Sequence, residues 1–114
     1  MIQVRDLAKS FGDRIAVEGL SFDVEAGEAF GLVGPPAAGK SAAIGLLAGL
    51  LAPDAGTVAI DEAPDPTRRE TRRHLGLATQ ALSLYDDLTA EQNARLFGRL
   101  YGLGGAKLDE HVAW

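Results

Sequence analysis

The residues best suited to chemistry form one short glycine-containing segment. Residues 34–41 read GPPAAGKS and fit the phosphate-binding pattern G-x-x-x-x-G-K-[ST], known as Walker A. Gly39 allows a tight turn in which successive amides face one anion, and a helix beginning there adds its positive dipole end. Lys40 would bring an ammonium group to the β- and γ-phosphates of a nucleotide, and Ser41 would ligate the Mg²⁺ that bridges them. The pattern predicts a site for a nucleoside triphosphate with Mg²⁺.

Two predicted elements flank this loop. The apolar run 29–33 follows a turn and is typical of a strand buried on both faces. The run 39–51 has helix length and is apolar nearly all round, which predicts a buried helix. Strand, loop and helix in this order are the context that the phosphate-binding pattern requires.

Hydrophobic periodicity predicts the remaining strands and one short helix. Alternating apolar residues over 2–4 and 20–24 indicate antiparallel strands, and 57–60 is a strand rich in β-forming residues. Residues 67–73 are predicted to form a polar helix, and 74–79 a further buried strand. The alternation of strands and helices favours an α/β layer fold with parallel strands.

A last helix is predicted from its capping residues. Thr89 and Gln92 have the spacing of a capping box, in which each side chain bonds the other residue's backbone amide. Apolar residues then recur at helical spacing, and Gly102 or Gly104 would end the helix in a left-handed conformation.

Composition limits the class of protein. The chain has 114 residues, 46% apolar and 24% charged, which predicts one globular domain or part of one. The absence of cysteine excludes a disulfide framework and agrees with a reducing compartment. No apolar run reaches the roughly 20 residues of a membrane span, and no export signal opens the sequence. A net charge of −5 argues against binding nucleic acid, which requires clustered basic residues.

Three stretches resemble the ATP-binding subunits of ABC transporters. The loop of that family usually reads GPNGAGKST, and here residues 34–42 read GPPAAGKSA. Residues 7–34 have the family's opening form, and residues 75–103 are similar to its Q-loop and the helix after it. The phrases SLYDDLT and RLYGL are most similar to subunits that serve drug, sodium or polysaccharide exporters.

The resemblance implies an α/β fold of the P-loop NTPase type, a partial parallel sheet with an N-terminal antiparallel β subdomain. Residues 1–114 would be the N-terminal part of an ATP-binding domain that uses ATP and Mg²⁺. Gln80 would be the catalytic Q-loop residue and, with Ser41, a ligand of the metal. Phe11 would stack on adenine. The implied nucleotide-binding residues are Phe11, Gly34, Pro35, Pro36, Ala37, Ala38, Gly39, Lys40, Ser41 and Ala42.

The resemblance also implies partners and a location. Such a subunit works with a transmembrane permease and a second ATP-binding subunit, and has no membrane span or nucleic-acid partner of its own. We expect a cytoplasmic protein, peripheral on the inner face of the cell membrane when assembled.

The loop departs from the family pattern at three positions. Pro36 removes a backbone amide, and Ala37 adds a methyl group where the family has glycine. A left-handed backbone at Ala37 would cost about 1–2 kcal/mol, and one lost hydrogen bond to a charged group roughly 1.5–3 kcal/mol. Ala42 lacks the hydroxyl that the family places near the α-phosphate. We therefore expect weakened nucleotide binding.

The family's LSGGQ signature, Walker B strand and switch histidine do not occur in the 114 residues. The family hydrolyses ATP, but this chain alone is expected to bind nucleotide without efficient hydrolysis. The alternative is a non-catalytic nucleotide-binding or interaction module, a truncated or decayed product. A small phosphotransferase of another P-loop family is the weaker third hypothesis.

Three further features are interpreted as structural. Residues 58–62, VAIDE, imitate a Walker B strand but follow the loop too closely, so we predict an ordinary strand and turn. The arginines of 68–73 are interpreted as a solvated helix face. His74 and His111 show no metal-ligand spacing.

Overall fold

The computed structural model describes residues 1–81 and 83–113, so Leu82 and Trp114 lie outside the described residues. The chain divides into two compact units, Met1–Leu77 and Ala78–Trp114. Each unit is described by itself. Within the described ranges, no helix has the length and apolar content needed to traverse a bilayer.

An antiparallel sheet forms the frame of the first unit. Its strands are β1 (Ile2–Phe11), β2 (Arg14–Val24), β3 (Ala55–Ile60) and β4 (Ala63–Pro64), in the order β2-β1-β3-β4. The alternation of apolar residues produces this arrangement because every second side chain points to the same face. The predicted antiparallel strands and the strand at 57–60 are confirmed.

Helix α1 (Lys40–Leu47) packs on this sheet and completes the core. The buried cluster contains Val4, Leu7, Val17, Ala43, Leu46, Val58 and Ile60. Burying a side chain of this size stabilises a fold by about 1.5–3 kcal/mol. The loop that precedes α1 is therefore anchored to a packed helix.

Helix α1 ends four residues earlier than predicted. Gly49 has φ 70°, and the amides of Gly49 and Leu50 donate to the carbonyls of Leu46 and Gly45. This is the Schellman arrangement that closes a helix. A Cβ at Gly49 would lie 1.9 Å from the Pro66 carbonyl oxygen, so this turn requires glycine on two grounds.

Two predicted strands are wrong for the described residues. Residues 29–33 and 74–79 form no strand, and Val33 is 90% exposed instead of buried. A strand forms when a neighbour accepts its amides, and the described residues supply no such neighbour to either segment. The parallel pairing expected from the sequence is thus not seen here. The Phe30 ring instead stacks on Phe22 with centroids 4.7 Å apart.

The predicted polar helix is confirmed as α2 (Arg69–Arg72), which follows β4. Its one buried residue is Thr71, whose hydroxyl donates to the Pro64 carbonyl at 2.8 Å. The arginines are exposed, as predicted.

The second unit contains helices α3 (Ala90–Leu100) and α4 (Gly105–Val112). The Thr89–Gln92 capping box that opens α3 is confirmed. Gly102 has φ 83° just after α3, as predicted for its end. Helix α4 was not predicted. Its buried Leu108 packs so closely on α3 that a Cβ at Gly98 would lie 2.5 Å from it.

Candidate functional site

The turn into helix α1 depends on Gly39. This residue caps the helix with φ 86°, a left-handed conformation that glycine adopts at little cost. A Cβ at this position would lie 1.9 Å from the Ala16 carbonyl oxygen on β2. Gly39 therefore shapes the loop and also lets it approach the sheet closely.

Lys40 places its ammonium group against the loop itself. The Nζ atom donates to the carbonyl oxygens of Gly34 and Pro35, the second at 2.7 Å. The side chain lies at the N-terminal end of α1, where the helix dipole and free amides favour an anion. The ammonium and the helix terminus thus lie in the same loop, and the predicted contact of Lys40 with phosphates stays a prediction.

The middle of the loop is exposed and strained. Ala37 has φ 63°, the left-handed backbone in which a methyl group costs about 1–2 kcal/mol. Pro36 contributes no amide hydrogen. The amide of Ala38 donates to the Pro35 carbonyl at 3.2 Å, which closes the turn around the strained residue.

Ser41 and Ala42 occupy the first turn of α1. The Ser41 side chain is exposed, and no contact to its hydroxyl is recorded within the part of the chain that the structure describes. Such a free oxygen suits Mg²⁺, which usually takes only one or two protein oxygens besides phosphates and water. Ala42 instead packs against the apolar core.

A cavity of about 260 Å³ lies beside the loop. Its walls include Ala16 and Val17 of β2 together with Gly39 and Lys40. The structure thus brings Gly39 and Lys40, at the end of the loop, against strand β2. Phe11 is not among the residues that line this cavity.

Phe11 ends strand β1 and pairs across the hairpin with Arg14. Its side chain is 49% exposed, and the Lys9 ammonium lies 5.5 Å from its ring centroid. Lys9 was not among the residues predicted for the site. The spacing of Lys9 and Phe11 could have indicated this contact, because residues two apart on a strand project from the same face.

Gln80 is an exposed residue of the second unit, so its relation to the loop stays a prediction. Residues 85–89 of the same unit are anchored by Asn93, which is 5% exposed. Its side-chain amide nitrogen donates to the carbonyls of Tyr85, Leu88 and Thr89, each at 3.1 Å. Its Oδ1 accepts the Tyr85 amide at 2.9 Å.

The turn between β3 and β4 has an ordinary structural role, in agreement with the sequence. Asp61 accepts the N-terminal ammonium at 2.5 Å and lies 3.7 Å from His74 Nδ1. The bond to the N-terminus lowers the pKa of Asp61, with a smaller contribution from His74. No cluster of three His, Cys, Asp or Glu side chains suited to a metal occurs in residues 1–81 and 83–113.

Comparison with known proteins identifies the family. A sequence profile described as ABC transporter matches residues 17–114. The chain is 44% identical over 103 residues to the Nod factor export ATP-binding protein I of Burkholderia lata, covering 90% of this chain and 34% of that protein. It is 40% identical to the probable multidrug ABC transporter ATP-binding protein YbhF of Escherichia coli, covering 99% and 20%. The chain thus spans about a third or less of these relatives.

Solved structures confirm the fold class. An ATP binding subunit of an ABC transporter is 32% identical with a TM-score of 0.84, covering 93% of this chain and 45% of that one. The bacterial ABC transporter cassette MJ0796, solved as a dimer, is 25% identical with a TM-score of 0.81, covering 99% and 53%. With the profile match over residues 17–114, these likenesses show that the chain belongs to the ABC transporter family, as the N-terminal part of an ATP-binding subunit.

Proposed function

We propose that this chain binds ATP with Mg²⁺ through the loop at residues 34–41, as part of a subunit that energises export. The observation that carries the proposal is the placement of the Lys40 ammonium at the N-terminal end of α1, inside the loop. An ammonium, a helix terminus and backbone amides together form an anion site of the kind that holds phosphates. The relatives are named as ATP-binding proteins of exporters, which supports this ligand.

The phosphates would replace the carbonyl partners of Lys40. Its Nζ now contacts Gly34 and Pro35, and phosphate oxygens carry more negative charge than carbonyl oxygens. Ser41 would be one protein ligand of Mg²⁺, which would neutralise phosphate charge when bound. In this proposal Gln80 is a second ligand and orients the attacking water, as the family resemblance implies. Ala42 would contact the α-phosphate region through its backbone alone.

The loop substitutions favour weak binding. Ala37 already holds the left-handed backbone, so its strain is a cost of folding the loop and need not be met again on binding. The missing amide of Pro36 acts on binding directly, because a phosphate oxygen loses a donor. We therefore assign most of the expected loss of affinity to Pro36.

The base would stack on Phe11, whose half-exposed ring offers an aromatic surface in the same unit as the loop. A stack of this kind contributes about 1–3 kcal/mol. The complete subunit would pair with a second ATP-binding subunit and a transmembrane permease at the inner face of the membrane. Hydrolysis would need groups outside residues 1–114, so this chain alone is expected to turn ATP over negligibly.

The test is calorimetric titration of Mg-ATP into the native chain and into Lys40→Ala. Loss of the ammonium should weaken binding by about tenfold or more, because hydrogen bonds to charged groups contribute roughly 1.5–3 kcal/mol. Lys107→Ala is the matched control, since it removes an exposed lysine from α4 and should leave binding unchanged. Equal affinity of the native chain and Lys40→Ala would refute the proposal.

The alternative, a non-catalytic nucleotide-binding or interaction module, is favoured by the loop substitutions, above all by Pro36. Phosphate release from Mg-ATP tests the expectation that both functions share for the isolated chain, namely negligible turnover. The non-catalytic module predicts turnover no faster than that of Lys40→Ala. Turnover that disappears in Lys40→Ala would show instead that residues 1–114 are sufficient for hydrolysis.

A further inference from the structure

Lys9 covers one side of the Phe11 ring. The two residues are neighbours on one face of β1, and the ammonium lies 5.5 Å from the ring centroid. This distance is within the range of about 6 Å in which a cation is attracted to an aromatic face. The Lys9 side chain is 17% exposed, whereas Phe11 is 49% exposed. The lysine is therefore held in place while much of the ring stays accessible.

Asp54 fixes Lys9 in this position. Its Oδ1 lies 3.3 Å from Lys9 Nζ, and its Oδ2 accepts the amide of Ser10 at 2.7 Å. The Asp54 amide donates to the Ala8 carbonyl at 2.9 Å. The bond from Ser10 and then that from Lys9 lower the pKa of the Asp54 carboxyl, so it is ionised at neutral pH. Lys9 is thus tied to Asp54, which is itself bonded to β1 once through its carboxylate and once through its backbone amide.

We propose that Lys9 is a positioning residue for the nucleobase: it holds the Phe11 ring by one face so that the base stacks on the other. This inference rests on the proposed function, since it concerns the same nucleotide site. A ring that is already fixed loses less conformational freedom when a base stacks on it. Stacking tolerates every base, so the arrangement selects nucleoside triphosphates over inorganic polyphosphates rather than one base over another.

The experiment compares two ligands, Mg-ATP and Mg-tripolyphosphate, which share the phosphates but differ in the base. Lys9→Gln should weaken ATP binding by about two- to fivefold, the equivalent of an exposed cation–π contact, and leave tripolyphosphate binding unchanged. Lys9→Arg keeps a cation and should retain most of the ATP affinity. In a Phe11→Ala background, Lys9→Gln should have no further effect on ATP.

The charge control is Lys107→Gln, which makes the same change in net charge on the exposed surface of α4. Equal weakening of ATP and tripolyphosphate by Lys9→Gln would overturn the proposal, because it would show general attraction of phosphates. An unchanged ATP affinity in Lys9→Gln would also overturn it. Failure of the proposed function has a different result: neither ligand then binds the native chain in a Lys40-dependent way.

Discussion

Both ends of helix α1 contain a left-handed backbone, but different types of residue adopt it. Both contain left-handed residues, but the C-terminal turn uses Gly49, whereas the N-terminal loop uses Gly39 and also Ala37. Gly49 fits tightly under the Pro66 carbonyl. Ala37 is exposed and carries the cost of its methyl group. Asp61 and Glu62 have the same left-handed backbone in a turn with a structural role, so the strain at Ala37 shapes the loop but does not by itself mark a binding site.

The largest expected effect concerns Gly49, in the C-terminal turn of α1. Gly49→Ala should lower the free energy of unfolding by about 2–4 kcal/mol, because it adds left-handed strain and a backbone clash. Gly27→Ala is the matched control, since Gly27 has φ 79° but nothing within 4 Å of an added Cβ. Urea denaturation followed by circular dichroism should show a loss of only about 1 kcal/mol for the control. Equal losses in Gly49→Ala and Gly27→Ala would mean that the clash with the Pro66 carbonyl is relieved without cost.

The next effect concerns the amide missing from the loop. Pro36→Ala restores a backbone donor and should strengthen Mg-ATP binding by about tenfold or more. Calorimetry on Pro36→Ala and Pro36→Asn distinguishes the backbone from the side chain, because both variants restore the amide and only one adds a polar group. No gain in either variant would show that position 36 does not face the phosphates.

The smallest effect concerns the strained residue itself. Ala37→Gly relieves about 1–2 kcal/mol of strain, but glycine gives back roughly 0.5–1 kcal/mol as unfolded-state entropy. We expect a net gain of about 0–1.5 kcal/mol in the free energy of unfolding, with little change in ATP affinity. Ala38 does not have a left-handed backbone, so Ala38→Gly should instead destabilise the fold slightly. Thermal denaturation measures both effects. A midpoint that falls in Ala37→Gly as well as in Ala38→Gly would contradict the prediction.

Local signals in the sequence predicted much of the structure. Alternating apolar residues predicted the hairpin of β1 and β2, and the spacing of Thr89 and Gln92 predicted the start of α3. The start of helix α1 directly after Gly39 was also predicted, because a motif of fixed spacing places a helix there. These features depend on residues that are close together in the chain.

Features that depend on distant neighbours were missed. Apolar runs at 29–33 and 74–79 have strand composition, but composition does not specify which segment accepts their amides. The 1.9 Å approach of Gly39 to the Ala16 carbonyl follows from packing on β2, which the motif alone does not show. Helix α4 begins after Gly104 with no side-chain cap, so its start gave no signal.

Residues 29–33, the exposed segment ahead of the loop, favour self-association of the protein in concentrated solution. Val33 and Phe30 are apolar and exposed, and the backbone amides around them lack strand partners among the described residues. Such a segment is a template for β-pairing between molecules. Light scattering should therefore rise with protein concentration, and a charged residue in place of Val33 should suppress that self-association.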